Sequence, residues 1–157
     1  MIDFFSNSTS STPLSPPTLM QKNTIEAVKI IKLPRIYDVR GNLTFVQDDC
    51  QIPFAIKRAY WIYDVPAGSE RGGHAHHEMQ QMLVAVAGSF TIEVCDGFNS
   101  ATFTLNRPFE GLLLPPGIWS TINNYSSGAV CLSLTDTLFE EADYIRDFDR
   151  FIELARQ

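Results

Sequence analysis

His74 and His76 stand two residues apart in the run R-G-G-H-A-H-H-E at residues 71–78. On a β-strand, residues i and i+2 share a face, so both imidazoles point one way and His77 the other. Paired neutral imidazoles can ligate a metal or move protons near neutral pH. Arg71 lies three residues ahead of the pair. Its planar fork suits a phosphate pair, and its charge would hold a nearby imidazole unprotonated and competent as a base. Tyr60 shares a strand face with Arg58 and Ile62, opposite Ala59, Trp61 and Tyr63. If that face is interior, the Tyr60 hydroxyl can polarise a carbonyl or relay a proton. Trp119 is a candidate for stacking on a base or sugar. Each residue also has a plainer reading: satisfied core histidines, a solvated loop arginine, a tyrosine at a barrel mouth, a packed tryptophan.

Strands must position these groups. Short β-branched and aromatic runs at residues 27–33, 43–47, 56–64, 82–87, 90–95, 101–105, 111–114 and 129–134 alternate with Gly- and Pro-rich turns. Strands at that spacing predict an all-β sandwich or barrel. In the run at 90–95, Phe90, Ile92 and Val94 fall on one face, with Thr91 and Glu93 on the other. The tail differs. Ala142, Ile145, Phe148, Ile152 and Ala155 follow helical spacing, which predicts a helix over 140–156 packed outside the barrel. Residues 1–24, polar and proline-rich, read as a mobile leader ahead of one domain over 25–157.

A net charge of −6 argues against broad nucleic-acid binding but leaves room for a nucleotide held by a few arginines. Three cysteines without a C-x-x-C pair read as small core residues in a reducing compartment. No apolar run is long enough to span a membrane, and the leader lacks the features of a secretory signal, so the expected location is cytoplasmic.

The spacing around the histidines resembles the first cupin motif: Gly68, then His74 and His76, then Gly88, with Gln81 at the acidic position. The second motif follows at Pro115, Gly117 and Asn124, with Ser120 where a third histidine would stand. The resemblance implies a cupin double-stranded jelly-roll barrel with a C-terminal helix. A metal-binding cupin supplies three imidazoles and a carboxylate; two imidazoles with an amide and a hydroxyl make a poor closed metal site. The expected chemistry is metal-free proton transfer, with a weak site completed by Gln81 and water as the alternative.

K-R-A-Y-W-I-Y-D-V at 57–65, R-G-G-H-A-H-H-E at 71–78 and E-A-D-Y-I-R-D-F-D-R-F at 141–151 are similar to the sugar 3,4-ketoisomerases, the WxcM-like cupins. That family implies conversion of dTDP-4-keto-6-deoxy-D-glucose to a dTDP-3-keto-6-deoxyhexose without cofactor, in a homodimer that exchanges an N-terminal strand. It implies His74 and His76 as the catalytic pair, with His74 as carbon base and His76 as shuttle. Tyr60 matches its active-site tyrosine and Arg71 its R-G-x-H arginine; Arg58, Gln81, Trp119 and Ser120 complete the expected substrate contacts. Where members often carry Glu-Gln this chain has Gln80-Gln81, and Ser120 follows Trp119 where they often carry His. Three other readings stay open at this point: an epimerase with a carboxylate-oriented histidine, a metal-dependent cupin oxygenase, and a sugar-nucleotide-binding cupin without activity.

Overall fold

Alternation of apolar and polar side chains folds this chain into two facing antiparallel sheets. The computed structural model describes residues 19–157. One sheet has the order β1 (Lys29–Lys32), β9 (Glu110–Leu114), β6 (Gln81–Ala87), β11 (Val130–Thr135) and β4 (Arg58–Ile62). The other runs β12 (Tyr144–Ile145), β5 (Arg71–His76), β10 (Trp119–Asn123), β7 (Phe90–Cys95) and β8 (Ser100–Leu105). A small ribbon pairs β2 (Arg35–Ile36) with β3 (Leu43–Thr44), and α1 (Phe148–Arg156) closes the chain. This is the all-β, double-sheet jelly roll with a C-terminal helix that the cupin resemblance implies.

Phe90, Ile92 and Val94 of β7 point inward as expected, and meet Leu83, Leu105, Leu112 and Cys131 between the sheets. That cluster also takes in Val28, Leu114, Ile118 and Ile122. A second cluster, with Ile52, Phe54, Met82 and Val84, covers the outer face of the first sheet. A third lies under α1, where Phe151 is fully buried against Ala75 and Ile145, with Trp119 packed at its edge.

Three expectations need correction. The tail is not one helix over 140–156: Glu141–Asp143 forms a 3₁₀ turn and Tyr144–Ile145 a strand, and the helix begins at Phe148. The exposed edge of β5 offers unpaired backbone groups, and pairing Tyr144 with His76 and Ile145 with Ala75 satisfies them. Asp147 then caps the helix, its side chain accepting the Arg150 N–H at 2.7 Å. Second, the end of the expected leader is docked: Met20 is buried, the Gln21 N–H donates to the His77 carbonyl, and Asn23 donates to the Pro116 carbonyl. The rest of that leader, residues 1–18, lies outside the described residues. Third, Cys50 is exposed rather than in the core; Cys131 is buried, and all three thiols are free.

The segment expected to cross to a neighbour pairs here within its own chain, with Lys29 through Lys32 opposite Leu113 through Glu110. Among the described residues no helix is long and apolar enough to cross a membrane.

Candidate active site

Strand β5 carries both histidines, and a local irregularity decides which side chains accompany them. Along β10, Ser120 faces His74 but Thr121 faces Gly72, so Gly73 is an extra residue in β5. Gly72 and Gly73 both adopt positive φ, 82° and 71°, and a Cβ on Gly72 would stand 3.0 Å from the Ser120 carbonyl oxygen. Only glycine suits that position. The bulge reverses the strand's alternation. Arg71, an odd number of residues ahead of His74, therefore lines the same cavity.

That cavity, about 770 Å³, opens between the sheets. Its wall includes Arg58, Tyr60, Arg71, His74, Gln81, Ser120, Tyr144 and Arg146, with Trp61 and Tyr63 also contributing. Gln81 and Ser120 are buried; the Gln81 Oε1 accepts the hydroxyls of Tyr60 and Ser133, each at 3.3 Å. Arg58 donates from Nη2 to the Tyr144 hydroxyl oxygen at 3.3 Å and lies 4.9 Å from the Tyr60 ring centroid.

Behind His74 lies His76, nearly fully buried, with ring centroids 5.0 Å apart. Its Nδ1–H donates to Asp143 Oδ2 at 3.0 Å. The Asp143 carboxylate also accepts the backbone N–H groups of Glu78, at 2.8 Å, and Met79, at 3.3 Å. Burial pushes the Asp143 carboxyl up, but the bond from His76 and those backbone donors outweigh it and hold the group below its ordinary range. Asp143 stays ionised and directs Nε2 of His76 away from itself, toward buried space where it has no hydrogen-bond partner among the described residues.

Burial, the neighbouring His76 and the Arg146 guanidinium draw the His74 pKa down to about 4. His74 is therefore an unprotonated imidazole on the cavity wall at neutral pH. The cation that acts on it is Arg146, bound to Glu141 at 2.7 and 3.0 Å, rather than the Arg71 expected from the sequence. Among the described residues no group of three or more His, Cys, Asp or Glu is arranged to hold a metal ion.

Residues 26–156 match the family described as FdtA: WxcM-like, C-terminal. The chain belongs to this family.

A relative from Aneurinibacillus thermoaerophilus, a TDP-4-oxo-6-deoxy-alpha-D-glucose-3,4-oxoisomerase, is 37% identical over 123 residues, covering 78% of this chain and 88% of that one. A histidine-to-asparagine variant of a 3,4-ketoisomerase from Thermoanaerobacterium thermosaccharolyticum, solved with TDP-4-keto-6-deoxyglucose, superposes with a TM-score of 0.81 at 34% identity, covering 82% of this chain and 94% of that one. A dTDP-4-dehydrorhamnose 3,5-epimerase from Bacillus anthracis shares the fold alone, at 13% identity and a TM-score of 0.68, over 80% of this chain and 81% of that one.

The WxcM-like site gathers seven of the eight residues singled out in the sequence, His76 just behind the wall and six on it. Trp119 is the exception. It neighbours Ser120 on β10 and so faces the opposite way, packing edge-on against Phe148 and against Phe151 under α1. Asp143, Tyr144 and Arg146 went unassigned, although the D-Y-I-R stretch of the tail contained them. Asp143 gives His76 the carboxylate partner associated above with an epimerase. The feature does not separate the two reactions, since each needs an oriented neutral imidazole.

Proposed function

We propose that this chain is a TDP-sugar 3,4-ketoisomerase that moves the carbonyl of TDP-4-keto-6-deoxy-D-glucose from C-4 to C-3. The observation that carries this reading is the unprotonated His74 on the cavity wall, backed by the Asp143-held His76 and surrounded by Arg58, Arg71 and Arg146. The relatives described above support the same substrate class.

The C-4 ketone acidifies the proton on C-3. His74 removes it, and the electron pair forms an enediolate across C-3 and C-4. The diphosphate of the bound substrate brings negative charge, which raises the basicity of His74 relative to the free protein. After proton exchange between the two oxygens, a proton returns to carbon at C-4 and the carbonyl remains at C-3. His76 serves as the shuttle, its ring oriented by the bond to Asp143. No redox cofactor enters this balance, and the donor set of two imidazoles, Gln81 and Ser120 supports a metal-free reaction.

The test is to incubate EDTA-treated protein with TDP-4-keto-6-deoxyglucose in D₂O and follow the sugar by NMR. The expected product is a 3-keto sugar. Unchanged sugar would instead indicate a binding protein, exchange without carbonyl migration an epimerase, and activity restored only by added metal a Lewis-acid mechanism.

Arg71 at the mouth of the cavity is assigned to the diphosphate. Arg71→Lys should weaken TDP-sugar binding about tenfold, because the charge remains but the two-pronged donor is lost. Arg71→Met should weaken binding further without moving the acid limb of the rate profile, since Arg146 is the cation acting on His74. Calorimetry and a pH-rate profile for both variants check this; unchanged affinity in both would remove Arg71 from the substrate site.

The protein is further assigned to the cytoplasm, as a homodimer supplying 3-keto sugars for amination in surface-polysaccharide synthesis. Ile30, Ile36 and Leu43 lie exposed in or near the first strand, which suits an interface. Light scattering should give twice 17.6 kDa. Deleting residues 1–18 should leave the dimer intact and deleting 1–33 should break it; a monomeric, fully active longer deletion would contradict the strand exchange.

A further inference from the structure

The cavity wall carries Arg58, Arg71 and Arg146, and the three are differently placed. Arg146 is committed to Glu141 by two bonds, at 2.7 and 3.0 Å, and about half of its side chain is in solvent. Arg71 is exposed at the mouth. Arg58 is half-buried on β4, its guanidinium 4.9 Å from the Tyr60 ring centroid and 5.5 Å from that of Phe139. No carboxylate among the described residues forms an ion pair with it. Its Nε is buried without a hydrogen-bond partner among those residues, and its Nη2 meets the Tyr144 hydroxyl, at 3.3 Å, and the Met79 sulfur.

A cation drawn out of water without a counter-ion is costly, and an arriving anion offsets that cost. Among aromatic rings its field is screened less than in solvent, so Arg58 acts on a nearby oxyanion more strongly than the two exposed arginines can. Its place in the fold sets where that oxyanion would lie. Arg58 belongs to the first sheet and His74 to the second. Tyr144 bridges them, its hydroxyl on Arg58 and its ring centroid 5.0 Å from that of His74. A sugar held between the two can offer a carbon to the imidazole and the neighbouring oxygen to the guanidinium.

We propose that Arg58 is the catalytic cation of the site, stabilising the oxyanion of the enediolate while Arg71 holds the diphosphate. The assignment rests on the ketoisomerase reading. As His74 takes the C-3 proton, the C–H electron pair forms the C-3–C-4 double bond and the carbonyl π electrons move to O-4, where Arg58 meets the new charge. When the hydroxyl proton passes from O-3 to O-4, the charge moves to O-3, one carbon along and still beside the guanidinium. Collapse of that charge forms the C-3 carbonyl, and the double-bond electrons take a proton from the imidazole system at C-4. Arg58 ends as it began. The bound substrate has only a neutral carbonyl at this place, so the contact is worth more in the transition state than before it.

Arg58→Met keeps an apolar stem between the two rings and removes the charge. In the full-length protein it should lower kcat about 100-fold, and C-3 proton exchange into D₂O by the same factor, while the Kd for TDP stays within about threefold of the parent. Arg58→Lys keeps the charge without the planar fork and should fall between the two. Arg58→Ala opens room for a small cation, and millimolar methylguanidinium should raise its kcat about tenfold. Parental kcat in Arg58→Met overturns the assignment. So does a raised KM at unchanged kcat, which would make Arg58 a contact for the bound substrate alone. A merely structural arginine would leave Arg58→Ala without rescue by methylguanidinium, and that result overturns it as well. A parent protein that does not isomerise the sugar would overturn the ketoisomerase reading and this assignment together, whereas an active parent with an equally active Arg58→Met variant overturns only the assignment.

Discussion

Replacing His74 with asparagine is expected to reduce isomerisation by about 100-fold to 10,000-fold, the range for loss of a general base, while TDP affinity stays within a few-fold. Asparagine occupies similar space on the cavity wall and is not a base at any working pH. The pH dependence supplies an independent check. The pKa of His74 is lowered to about 4, so the imidazole is neutral above that value and becomes cationic as pH falls through it. The acid limb of kcat/KM, which reports the free protein, should therefore lie well below the ordinary histidine value of 6.5. Stopped-flow or NMR assays from pH 3.5 to 9 measure both quantities. If His74→Asn keeps most of the parental turnover while His76→Asn loses it, the roles of the two imidazoles are reversed.

Asp143→Asn should be nearly as damaging, at about 100-fold or more in kcat. The carboxylate can only accept, so it fixes the proton of His76 on Nδ1 and leaves Nε2 as the basic nitrogen. An amide can present its NH₂ to Nδ1 and reverse that tautomer. Stability provides a second readout. The Asp143 carboxyl lies below its ordinary value of 3.8 in the folded protein, so its contribution is fully present above that pH and is lost as pH falls through the lower folded value. The variant should thus have a reduced urea midpoint at pH 7, with the deficit shrinking toward pH 3. An equal deficit at both pH values would mean that the carboxylate's charge contributes nothing. Parental kcat in Asp143→Asn would remove the dyad from the reaction.

The barrel and the histidine pair were legible in the sequence because their signals are local. Alternation in β7 and the H-x-H spacing in β5 each fit within one strand. Asp143 was not legible, since its partner His76 lies 67 residues away. Its flanking residues Ala142 and Ile145 suit a helix as well as they suit the short strand that forms, and only the free edge of β5 decides between them. Arg71 lines the cavity for a reason that simple alternation does not supply. Its separation from His74 is odd, and simple alternation would have turned it away had Gly73 not been accommodated as a bulge. Trp119 and Ser120 could have been separated from sequence alone, because adjacent residues of one strand cannot both face its interior.

Asp143 has a consequence for how the enzyme comes into being. Every strand of the two sheets except β12 precedes it in the chain. During synthesis the cavity wall from Arg58 to Ser120 can close while the carboxylate that orients His76 has yet to emerge. The barrel at that stage is a folded vessel with an unprimed base. Docking of the 3₁₀ turn and β12 against β5 then joins the carboxylate to the imidazole, with the buried Phe151 of α1 anchoring the segment. On that order of events the site is completed last, by docking at the edge of β5. The same step run in reverse, by peeling the tail from the edge of β5, would silence the enzyme without dismantling its core.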